Sequence, residues 1–163
     1  MFEFLDPGEL VDADLELILT EKYPGEPAKG WVPAYKFVMT LRGHAGEIGR
    51  IDLRIGDTTR LVRYGGHIGY SVRPEHRGHH YAARACRLLL PLARNHGLKA
   101  LWITCNPENH ASRRTCELLG AELVEIVDLP KDTDMYQRGE RRKCRYRLEL
   151  QAAGVTSPGA VPS

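Results

Sequence analysis

From Val72 to Ala82 the chain reads Val-Arg-Pro-Glu-His-Arg-Gly-His-His-Tyr-Ala, and a helical pattern of apolar residues begins at its end. The first N–H groups of a helix have no partners within it, and the helix dipole adds partial positive charge there. Such a start is an anion site best suited to phosphate. Arg77, with Arg73 and Arg84 nearby, adds charge; Gly78 permits close backbone approach, and Ala82 is too small to block it. Upstream of this loop stand His67, whose imidazole titrates near neutrality, and Tyr70, a weaker acid or base. His76, His79 and His80 invite a metal site. Yet His79 and His80 are adjacent and point in different directions, and no cysteine pair or acidic ligand completes a set, so no metal is expected.

These residues need a strand, a loop and a helix to place them. Leu15, Leu17 and Leu19 alternate as a first strand, and Tyr35–Leu41 and Ile48–Ile55 form two β-rich runs around Arg42-Gly43-His44-Ala45-Gly46. The stretch Arg60–Val72 predicts another strand, with Gly65-Gly66 allowing a bend or bulge. Ala82, Ala85, Leu89, Leu92 and His96 predict a helix over 79–96, stopped at Gly97 and kinked at Pro91. Leu101–Cys105 reads as a buried strand, and Asn109 as the N-cap of a helix over 110–119 that ends at Gly120. Ala121–Val127 and Cys144–Leu150 are further strands joined by a polar loop.

The 163 residues suit one domain, expected over 1–150, followed by a small, uncharged, Pro/Gly-rich tail at 151–163. A formal charge of +2 and the lack of aromatic interleaving argue against nucleic acid. The first 28 residues are acidic, and Arg73–Arg94 is basic, giving two oppositely charged stretches. Cys86, Cys105, Cys116 and Cys144 form no C-x-x-C pair and read as buried thiols. No apolar run is long enough to cross a bilayer, and no leader pattern is seen, so no membrane partner and a cytoplasmic location are the expectation.

In order and spacing, Val72-x-Pro74-x-x-Arg77-Gly78-x-His80-x-Ala82, then the strand Leu101–Cys105, then Asn109-x-x-Ser112 and Gly120, resemble the GNAT superfamily of N-acetyltransferases. The string Arg-Gly-x-x-Tyr-Ala-x-x-Ala at 77–85 is most similar to the branch that contains ribosomal-protein N-terminal acetyltransferases. The resemblance implies an α+β, three-layer fold: a mixed, mostly antiparallel sheet of about six to seven strands, helices on both faces, and a splayed parallel pair of strands. It implies acetyl-coenzyme A as acyl donor, its pantetheine arm paired with the backbone of Tyr70, Ser71 and Val72. The pyrophosphate would rest on the N–H groups of Arg77, Gly78, His79, His80, Tyr81 and Ala82, with Asn109 and Ser112 touching the pantetheine or ribose end. His80 stands where the family has glycine, and Cys116 where it often has the tyrosine that protonates the departing thiolate.

The activity implied is transfer of acetyl to a primary amine by direct attack, the acceptor being a small-molecule amine or a peptide or protein N-terminus. His67 is the favoured base, with Tyr70 a weaker candidate and Cys116 a poor candidate acid. The alternative is a non-catalytic sensor of acyl-coenzyme A esters on the same fold. Fold analogy allows a homodimer. The stretch before Tyr35 is short for the family's early pair of helices, which leaves room for an open groove.

Overall fold

The alternating runs of the N-terminal half form one antiparallel meander. The computed structural model describes residues 2–150; the expected tail lies outside the described residues. Strands β1 (Leu10–Asp12), β2 (Leu15–Tyr23), β3 (Ala34–Leu41), β4 (Glu47–Arg54) and β5 (Ile68–Val72) pair in that order. Helix α1 (Tyr81–Asn95) follows, then β6 (Ala100–Cys105), α2 (His110–Leu119), β7 (Glu122–Asp128), the single turn α3 (Asp134–Gln137) and β8 (Arg142–Glu149). The last three strands form a second sheet in the order β6-β8-β7.

Register decides which face is buried. Leu17 opposes Met39, Phe37 opposes Ile51, and Ile51 opposes Tyr70, so one face of the first sheet is an unbroken apolar surface. Ala85, Cys86, Leu89, Leu92 and Ala93 of α1 close over it, and all are buried. Each fully buried leucine, isoleucine or phenylalanine contributes roughly 1.5–3 kcal/mol. Pro91 sits on the exposed side of α1, where the carbonyl of Arg87 that loses its partner meets water, and the helix runs on to Asn95. The two charged stretches also meet: Arg84 of α1 holds Asp12 at 2.7 Å and Asp14 at 3.1 Å in the β1–β2 turn.

The α+β class is as expected, with differences that shape the site. All eight strands pair antiparallel; β5 and β6 adjoin without forming a ladder, as the expected splay between them requires. The stretch 60–72 is not one strand: Leu61–Gly65 is a π-helical turn, and β5 begins only at Ile68. Arg54 enforces the break by donating to the carbonyls of Gly65 (3.0 Å) and Gly66 (3.1 Å). Gly66 has φ 78°, and a Cβ there would lie 3.0 Å from the Trp102 carbonyl, so this crossing requires glycine. Helices α1 and α2 lie on the apolar side. Between β2 and β3 there is only a short 3-10 turn, Pro27–Lys29, so among the described residues the opposite face of the first sheet meets only single helical turns.

Candidate active site

The two sheets join at one residue and then part. His67 donates its backbone N–H to the Trp102 carbonyl (2.7 Å), and its Nδ1 accepts from the Trp102 N–H (2.9 Å). That fixes the tautomer, so Nε2 carries the hydrogen and donates it to the Gly56 carbonyl at 2.9 Å. Burial holds the His67 pKa below its usual value. The expected base is therefore a fastener: both ring nitrogens are engaged with backbone, the side chain is 3% exposed, and no lone pair is left to take a proton.

Beyond His67, β5 is the edge of its sheet. Arg54 N–H donates to His67 O and Arg73 N–H to Ile48 O, which brackets the β4–β5 ladder. Alternation then turns the backbone groups of Gly69 and Ser71 toward β4, and those of Ile68, Tyr70 and Val72 into the gap before β6. An extended amide-bearing chain fits this edge as an added strand. Across the gap, the Tyr70 hydroxyl lies 2.7 Å from Ser112 Oγ of α2, and burial raises the tyrosine's pKa. Asn109 caps α2 by accepting from the Ser112 N–H at 3.1 Å. Cys116 is fully buried behind this pair, its pKa pushed up to about 12 by burial, so it cannot serve as the expected acid. The Oδ1 of Asn106, at the end of β6, is buried with no hydrogen-bond partner and lines the same opening.

The loop before α1 ends in a helix start with no side-chain cap. His80 caps α1 in the left-handed region (φ 61°), and Gly78 has φ 90°. The N–H groups of Gly78, His79, His80, Tyr81, Ala82 and Ala83 have no backbone acceptor among the described residues. The left-handed turn explains why glycine suits position 80; histidine is among the few other residues that adopt it with modest cost. Of the arginines, Arg77 donates to the Val72 carbonyl (3.0 Å) at the mouth of the gap, Arg73 is held by Glu47, and Arg84 is committed to Asp12 and Asp14. Free N–H groups, an open strand edge and an orphaned buried carbonyl oxygen together fit a phosphate-bearing, amide-rich thioester such as acetyl-coenzyme A.

The gap opens into a groove of about 1500 Å³ on the helix-poor face of the first sheet. Lys36, Asp52, Gly69 and Ser71 belong to its floor; Tyr23 and Trp31 line it from one segment, and Asp134, Met135 and Arg138 from another. Asp52 was not singled out by sequence. Its one signal is the alternation Ile51-Asp52-Leu53-Arg54, which puts a carboxylate on the face opposite the core. Among the described residues, no group of three or more His, Cys, Asp or Glu is placed to hold a metal ion, and no helix is long and apolar enough to cross a membrane.

A helix start with bare N–H groups, beside an open strand edge on an α+β frame, has the backbone donors and the room that an acyl-coenzyme A would need. The acetyltransferase (GNAT) domain matches residues 7–122, and the chain belongs to that family of acetyltransferases. No curated protein matches the chain. Among solved structures, it is similar to the ribosomal-protein-S5-alanine acetyltransferase of Vibrio fischeri, with 19% identity and a TM-score of 0.58 over 72% of this chain and 62% of that one. It is also similar to the apo form of the ribosomal L7/L12 α-N-protein acetyltransferase RimL, with 15% identity and a TM-score of 0.62 over 87% and 97%. A third is the microcin C7 self-immunity acetyltransferase MccE in complex with acetyl-CoA and AMP, with 18% identity and a TM-score of 0.56 over 72% and 61%. At these identities the likeness is one of fold. The chain spans only 62% and 61% of the first and third of these proteins.

Proposed function

We propose that the protein transfers acetyl from acetyl-coenzyme A to the N-terminal amine of a peptide or protein, by direct attack within a ternary complex. The observation that carries this reading is the junction of the open β5 edge with the long groove. A thioester lying along Tyr70–Val72 would face an acceptor on the helix-poor face, and an open groove of about 1500 Å³ has room for a polypeptide as well as a small amine. The named activities of the Vibrio fischeri protein and RimL point to protein acceptors as the class to try first.

In this reading Gly78–Ala83 hold the pyrophosphate, and a backbone N–H of the β5 edge steadies the oxyanion. The missing acid is replaced from the other side of the gap. Tyr70 reaches from β5 to Ser112 and sets two hydroxyls close to where the family tyrosine would work. Because burial makes Tyr70 a weaker acid, the pair acts as a relay that receives a proton as it gives one to the thiolate.

The sensor reading draws on Cys116, whose buried thiol offers no acid. Mass spectrometry of a panel of peptides and small amines, incubated with protein and acetyl-coenzyme A, separates the two. Acetylation confined to peptide α-amines supports the proposal. Transfer only to small amines overturns the acceptor class, and no transfer despite cofactor binding favours the sensor.

A further inference from the structure

We infer that Asp52 receives the acceptor's ammonium group and takes its proton. The inference rests on the amine-transfer reading above and names the base that reading lacks once His67 is engaged with backbone. Asp52 lies in the middle of β4, directly opposite Gly69 of the open-edged strand β5 and Lys36 of β3. On that face Gly69 has no side chain and Ser71 a small one; the Arg54 guanidinium lies over Gly69, held by the carbonyls of Gly65 and Gly66, and the carboxylate meets the groove beside it.

The neighbouring charges are already committed. Lys36 is 3.9 Å from Glu21 of β2 and lies over the Tyr23 ring. Arg50 is held by Glu47, and Arg54 by the carbonyls of Gly65 and Gly66. Across the groove Asp132 pairs with Arg60, while Glu140 pairs with Arg138 and Lys143. Asp134 carries no ion pair but is exposed on the rim. Asp52 is thus a half-buried carboxylate on the floor with no hydrogen-bond or ion-pair partner among the described residues. Burial raises its pKa above the usual carboxylate value despite Arg54 and Lys36, which makes it a better base than an exposed aspartate.

The step balances. The ammonium gives one proton to Asp52, and the neutral amine attacks the thioester carbon. The C–N bond forms, the C–S bond breaks, and the nitrogen's second surplus proton passes through Tyr70–Ser112 to the thiolate. Asp52 returns its proton to solvent. One amide, one free thiol and one proton result from one ammonium and one thioester.

The test compares wild type with Asp52→Asn on a peptide acceptor across pH, beside calorimetry with acetyl-coenzyme A and a thermal melt. The expected result is a fall in kcat/KM of about 100-fold or more, with cofactor affinity unchanged. The acid limb set by Asp52 should vanish in the variant, while the alkaline limb that belongs to the amine persists. The variant should also melt no lower than wild type, because an unpaired, half-buried charge has been removed. A variant that keeps the wild-type rate and acid limb overturns the inference and leaves the transfer reading standing. A variant that loses rate and melts well below wild type assigns Asp52 a structural role and also overturns it. A folded wild type that acetylates no amine removes the transfer reading, and this inference with it.

Discussion

The two sides of the gap are built from different materials. The side proposed for the cofactor is almost all backbone: bare N–H groups at the start of α1, a strand edge, and turns set by Gly66 and Gly78. The side proposed for the acceptor is almost all side chain, gathered from β2, β3, β4 and the segment before β8. A backbone site survives substitution of most side chains provided the local conformation is kept. A side-chain site changes with each residue, so the first side defines a family and the second a substrate.

The largest effect should come from breaking the junction that both sides share. His67→Leu strands the Gly56 carbonyl and the Trp102 N–H in a buried place, and should cost about 3 kcal/mol in a denaturant titration. It should weaken cofactor and acceptor binding together; a loss confined to one side would break the comparison. Next comes Tyr70→Phe, which keeps the ring and removes the hydroxyl near Ser112. Stopped assays should read a fall in kcat of about 10- to 100-fold with cofactor affinity unchanged.

Stability against pH follows from the same junction. Burial depresses the folded-state pKa of His67, and also that of His96, whose Nε2 lies 2.5 Å from the Tyr35 hydroxyl. The unfolded chain therefore binds more protons than the folded one as pH falls below 6.5, the ordinary histidine value. The midpoint in urea should hold steady above that pH and drop below it, and the drop should shrink in His67→Leu. The smallest effect belongs to His80→Gly, which removes a left-handed histidine. It should stabilise the fold by up to about 1 kcal/mol and leave cofactor affinity equal or higher, as a backbone site requires. Weaker binding in this variant would mean that the imidazole itself contributes.

The same contrast explains what the sequence disclosed. The anion loop and the α2 cap each lie within a few consecutive residues, so Arg77-Gly78, His80, Ala82 and Asn109-x-x-Ser112 could be read directly. His67 could not be assigned correctly, because its partners are 11 and 35 residues away and its consumed ring nitrogens are a tertiary fact. Asp52 was hidden for a related reason: its isolation depends on which strands lie beside β4 and on arginines drawn off to other partners. The stretch 60–72 reads as one strand because Gly65-Gly66 allows a bend or a bulge within it; the helical turn at 61–65 depends on the Arg54 side chain, which the local sequence does not show.

The central claim, that bare N–H groups at the start of α1 hold the pyrophosphate of acetyl-coenzyme A, is tested most directly by calorimetry of wild type beside His80→Glu. A carboxylate placed among those N–H groups competes with the phosphate and repels it. The account predicts binding in the micromolar range by wild type and its loss in the variant, with both proteins folded by circular dichroism. Undiminished binding by His80→Glu, or none by folded wild type, would contradict it.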